Sequence, residues 1–181
     1  IGVMQDQDSI YRVTIEALED LSNDGVVYAE LRFAPLVHTF KGLSTAEVIN
    51  SVANGIKDGM EKYDIVAGVI LCAMRQEQNS IEVVNLCIEH KDVVGFDLAG
   101  PEVGFSVLNH KEACALAVEN NINVTLHADW EVPAGIKEVV LDSKAKRVGH
   151  GSQIINDISF ENGAISFNND AAKYVLSLIH I

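Results

Sequence analysis

Five apolar runs of strand length, alternating with stretches of helical periodicity, constrain the fold of this chain more than any other feature. Gly25 to Pro35 (GVVYAELRFAP) reads as a strand stopped by its proline. Ile65 to Arg75, Val93 to Gly100 (VVGFDLAG), Ile122 to Asp129 (INVTLHAD) and Arg147 to Gly151 (RVGHG) are the others. Between them lie amphipathic segments at Ser44 to Tyr63, Asn79 to His90, Val107 to Asn121 and Val132 to Ser143. A further helix, SIYRVTIEALEDLSND, precedes the first strand, and NDAAKYV begins the last. Ser44 with Glu47 three residues on is the pattern of a capping box.

The strand runs are continuously apolar rather than alternating, as expected of parallel strands covered on both faces. Strand-helix alternation with short connections predicts right-handed βαβ units. No Gly-rich phosphate fingerprint follows any strand, which removes the usual support for a nucleotide-binding doubly wound sheet. The C-terminal strand ends carry Glu30 and Arg32, then Arg75, then Asp97 with Gly100, then His127, then His150. In a (β/α)8 barrel such ends converge on one face, where chemistry occurs. Chains also become polar wherever strands end, which accounts for any one or two of these residues.

Composition narrows the function. The 181 residues suffice for one domain with a sizeable core. A net charge of -13, with no Lys/Arg cluster, argues against nucleic acid as a partner. The longest apolar runs are too short to span a bilayer, so no membrane is expected. Three cysteines at scattered spacing predict buried, reduced thiols and a cytoplasmic protein. The acidic start IGVMQDQDS is no signal peptide, and the first residue is Ile rather than Met. Residues 1–175 read as one partial domain. The ending LSLIHI, residues 176–181, resembles the translated end of a sequencing transposon and reads as a non-native tail, which removes His180 from the candidates. The chain thus reads as an internal piece of a longer product.

Taken singly, the polar residues leave alternatives open. His127 could bind a metal, act as a base or be a hydrogen-bonded core group. Gly149 and Gly151 around His150 allow close approach or positive φ, or simply a tight turn. The Gly100 N–H could meet a flat ligand, or Gly100-Pro101 could be only a turn. Arg32 and Arg75 could orient carboxylates or pair with surface acids. His38, His90 and His110 are given no role.

In their order, VVYAELRFAP, ILCAMR, GFDLAG, VTLHA and RVGHG resemble the adenosine deaminases of the amidohydrolase superfamily, from about Ile10 to Val175. The resemblance implies an α/β fold, a partial (β/α)8 TIM barrel covering strands two to six with their helices, the barrel not closed. It implies one zinc ion, held in the family by an HxH pair on strand one, a histidine on strand five and an aspartate on strand eight. His127 matches the strand-five ligand, and the remaining ligands have no counterpart in this chain. His150 matches the histidine that orients and deprotonates the zinc-bound water. Gly100 matches the glycine that hydrogen-bonds the purine, and Asp97 the acid supporting that loop. The implied reaction is hydrolytic deamination of adenosine, or a related 6-aminopurine, to the 6-oxo product and ammonia in purine salvage. The implied partner is a small purine nucleoside.

Two departures qualify the match. The family pattern after the strand-five histidine is H-A-G-E, its Glu being the proton donor; here it is HADWE, with Trp130 at the Glu position. A one-residue deletion would leave Asp129 or Glu131 as the acid, and Glu131 is favoured for its reach. Pro101 also stands where the family commonly has an acid. The isolated chain is therefore expected to have little or no activity. Two further readings are a non-catalytic homologue that binds a purine or a partner, and a deaminase of adenine or a modified aminopurine.

Overall fold

The computed structural model describes residues 1–131, 135–168, 170, 172, 173 and 175. They divide into two compact units, residues 1–72 with 89–94, and residues 73–88 with the described residues from 95 onward. The expected tail at 176–181, with His180, lies outside the described residues.

The first unit begins with α1 (Gln7–Asn23), β1 (Tyr28–Phe33), α2 (Thr45–Lys62) and β2 (Val66–Met74), the last reaching into the second unit. Asp6 caps α1 by accepting the Ser9 N–H at 2.8 Å. The capping box read from the sequence is present on α2: Glu47 N–H donates to the Ser44 hydroxyl at 3.3 Å, and Ser44 N–H to the Glu47 carboxylate at 2.8 Å. Ser44→Ala should therefore lower stability by about 1 kcal/mol, read as a lower denaturant midpoint. The two helices cross closely at glycine. A Cβ on Gly55 would stand 2.8 Å from Thr14 Cβ and 3.0 Å from the Tyr11 carbonyl oxygen. β1 and β2 pair in parallel, from Tyr28 opposite Val66 to Phe33 opposite Leu71. Residues 68–73 of β2 are buried without a break, which is why that strand reads as a continuous apolar run.

The second unit carries α3 (Ser80–Glu89) and β3 (Val93–Ala99) for most of their length, then α4 (Lys111–Glu119) and β4 (Asn123–Ala128). α5 (Gly135–Lys137), which runs into a π turn at Glu138–Asp142, and β5 (Arg147–His150) follow. β3 pairs β4 in parallel from Gly95 opposite Asn123 to Leu98 opposite Leu126. β4 pairs β5 in parallel from Thr125 opposite Arg147 to Ala128 opposite His150. Along β4 the burial alternates: Val124, Leu126 and Ala128 are buried, while Thr125 and His127 are half-buried on the other face. That second face is where the polar residues gather.

Residues 158–167 form a hairpin that the strand-helix reading did not include. β6 (Ile158–Glu161) and β7 (Ala164–Phe167) pair antiparallel across Asn162-Gly163, whose φ values of 53° and 78° suit a tight hairpin turn. The three cysteines are buried thiols, as expected. Burial pushes the Cys87 thiol up to about 12 and Cys114 to about 11, so both stay protonated. Among the described residues no helix is long and apolar enough to cross a membrane.

Candidate active site

The candidate site is built on the ends of β3, β4 and β5, all within the second unit. Asp97 on β3 is fully buried, and its Oδ1 accepts the Leu98 N–H at 2.7 Å. Its carboxylate also faces His127 Nδ1, at 3.0 Å from Oδ1 and 2.9 Å from Oδ2. A carboxylate only accepts, so Nδ1 carries a proton, and in the neutral ring Nε2 then keeps its lone pair. Nε2 makes no hydrogen bond among the described residues, and the His127 side chain is 25% exposed.

The His150 ring stands 5.2 Å from that of His127, centroid to centroid, edge to face at 78°. Its φ of 70° is in the left-handed region, which side-chain-bearing residues rarely adopt. Gly149 is a glycine for want of space. A Cβ there would lie 2.6 Å from His127 Cδ2 and 2.7 Å from its Cγ and Nε2. The Trp130 ring also sits 5.2 Å from that of His150, tilted by 42°.

The other sequence-derived residues fall as follows. Gly100 has a φ of 116°, and a Cβ would meet Gln76 Oε1 at 2.7 Å. Its amide has no hydrogen-bond partner among the described residues. Glu131 is exposed, and its Oε2 accepts the Glu102 N–H at 3.1 Å, so its contacts run to Glu102 rather than to the histidines. Asp129 has a φ of 67°, a glycine-like conformation at the place where the H-A-G-E pattern has its glycine. Its carboxyl is 1% exposed, with no hydrogen bond on either oxygen. Burial raises its pKa above the ordinary carboxylate range, with the charge of Asp157 and then that of Glu102 adding to this, while the Gln153 and Gly135 amides oppose it. The structure thus brings Asp97, His127, His150 and Trp130 together and leaves Glu131 on a neighbouring turn.

Three residues matter more than the sequence indicated. Arg75 is buried, and its guanidinium donates to the carbonyls of His127 and, at 3.1 Å, of Phe105. Burial lowers its pKa, while the charges of Glu102, Glu138 and Asp97 hold it up. His110, given no role from the sequence, is buried between Arg75 and α3: Nε2 lies 3.0 Å from the Arg75 carbonyl oxygen and Nδ1 2.9 Å from Ser80 Oγ. Glu102 is described below. No local motif marks any of these contacts, because each joins residues far apart in the chain.

The donor set fits a metal ligand at one position. A histidine whose Nδ1–H is held by a buried carboxylate, with Nε2 bare, is the arrangement that orients imidazole ligands at metal sites. Among the described residues no three His, Cys, Asp or Glu side chains converge into a metal site.

Residues 1–168 match the family model for adenosine deaminase. The chain belongs to the adenosine deaminase family. Adenosine deaminase 1 of Streptomyces coelicolor is 38% identical over 97% of this chain and 46% of its own length. The chain spans about half the length of the curated relatives it matches. Among solved structures, adenine deaminase from Arthrobacter aurescens matches with a TM-score of 0.80 at 25% identity, over 84% of this chain and 48% of that one. A zinc-bound amidohydrolase from Burkholderia ambifaria matches with a TM-score of 0.81 over 84% of this chain and 44% of that one; at 21% identity it supports the fold alone. The α/β fold expected from the sequence, parallel strands of a partial (β/α)8 barrel, is the one found in this deaminase-family chain.

Proposed function

We propose that this chain is part of a zinc-dependent adenosine deaminase of cytoplasmic purine salvage, converting adenosine to its 6-oxo product and ammonia. The observation that carries the reading is the Asp97–His127 pair with the His150 ring 5.2 Å beyond it. His127 would hold zinc through Nε2; when bound, the metal supplies a water acidic enough to ionise near neutral pH. Asp97 keeps the proton on His127 Nδ1, so Nε2 stays a donor of electrons. His150, next to His127, would take a proton from the attacking water. The Gly100 amide, unscreened by any side chain, hydrogen-bonds the purine. Glu131 is the proposed acid for the ring nitrogen, exchanging its bond to the Glu102 N–H for the substrate. Asp129 is the second candidate, its buried carboxyl shifted by burial in the direction an acid requires.

Trp130 beside His150 favours a second reading, a homologue that binds a purine without turnover. A third changes the substrate to adenine, the base named for the Arthrobacter neighbour. The test is to recover the whole gene, express it and assay ammonia release from adenosine and from adenine with zinc present. Release from adenosine is the expected result. Saturable binding without ammonia supports the second reading, and release from adenine alone supports the third. With only one of the family's zinc ligands, the 181 residues alone should release none.

A further inference from the structure

We propose that Glu102 is a positioning residue that fixes the segment carrying the candidate proton donor. The donor's role rests on the deaminase reading; the contacts do not. Glu102 follows Pro101 in the turn after β3 and is 9% exposed. Its two carboxylate oxygens take two consecutive amides: Oε1 accepts the Trp130 N–H and Oε2 the Glu131 N–H, each at 3.1 Å. The exchange is reciprocal, because Glu102 N–H donates to Glu131 Oε2 at 3.1 Å. Trp130 and Glu131 lie in neither helix nor strand, so no ladder satisfies these amides.

The residue type follows from the task. Two adjacent N–H groups need two acceptor atoms, and a charged carboxylate strengthens both bonds. A glutamine offers one acceptor and one donor in the same space. Arg75 completes the arrangement. Arg75 and Glu102 line one cavity of about 370 Å³, and Arg75 holds the His127 carbonyl. Residues 127–131 are thus gripped at one end by a cation on a carbonyl and at the other by an anion on two amides. Each charge meets the backbone dipole that suits it. The position of Trp130 against His150, and the reach of Glu131, depend on the second grip.

Trp130 is the single tryptophan of the chain, so its fluorescence reports this segment alone. In Glu102→Gln, amide hydrogen exchange at Trp130 or Glu131 should quicken by about tenfold or more, because one amide loses a charged acceptor. Trp130 emission intensity should change as the indole leaves His150, while the His127 Nδ1–H signal persists. Unchanged exchange and emission in that variant would overturn the proposal. Should the variant not fold, the wild-type chain decides: Trp130 and Glu131 amides slowed about tenfold or more support the grip, and exchange at the unstructured rate ends it. None of these readouts uses deamination, so a chain that deaminates nothing would leave the result standing.

Discussion

Gly149→Ala should destabilise the chain, against the ordinary sign of that substitution. Replacing glycine by alanine outside the left-handed region usually gains about 0.4–1 kcal/mol by restricting the unfolded chain. Here the new methyl would lie 2.6–2.7 Å from three ring atoms of His127. The ring is tied through Nδ1 to Asp97 and cannot retreat freely. Either the strands part, at an overpacking cost of about 1–3 kcal/mol, or the ring turns and leaves Asp97. The second outcome costs the fully buried Asp97 carboxylate its bond to the imidazole, itself worth about 1–3 kcal/mol. A denaturant titration should show a lower midpoint, and histidine NMR a lost or shifted His127 Nδ1–H. A variant as stable as the parent, with that signal intact, would mean that Gly149 and His127 are not packed as described.

Phe96→Ala should have the largest effect on stability. Phe96 precedes Asp97 on β3 and is fully buried. Deleting a buried phenyl ring removes its transfer energy and leaves a cavity, together about 3–5 kcal/mol. Domain stabilities run about 5–15 kcal/mol, so a large part of the margin would go. The site should loosen with the core, because β3 carries the carboxylate that holds His127. Guanidinium unfolding followed by circular dichroism measures this, and a loss under about 1 kcal/mol would contradict the burial of Phe96.

The sequence was most legible where a local rule acts. The uninterrupted apolar run of β2 announced a strand covered on both faces, and Ser44 with Glu47 announced the start of α2. His127 and His150 could be paired because their motifs resembled a known family, and parallel register sets His127 beside Gly149. Contacts between distant turns were not legible. Nothing near Glu102 says that its carboxylate takes amides 28 and 29 residues away, and nothing near Arg75 points to the His127 carbonyl. The hairpin at Asn162-Gly163 is a different case. Its turn signal is in the sequence, but two four-residue strands are too short to stand out against strand-helix units.

The central claim is that Asp97 sets the tautomer of His127, leaving Nε2 bare, in a ring that stands 5.2 Å from that of His150. Long-range nitrogen–proton spectra of the histidine rings, with ring-to-ring NOEs, test this on the 181-residue chain without metal or substrate. The account predicts His127 protonated at Nδ1, bare at Nε2, and a direct NOE to His150. A proton on Nε2, or two rings with no NOE between them, would contradict it.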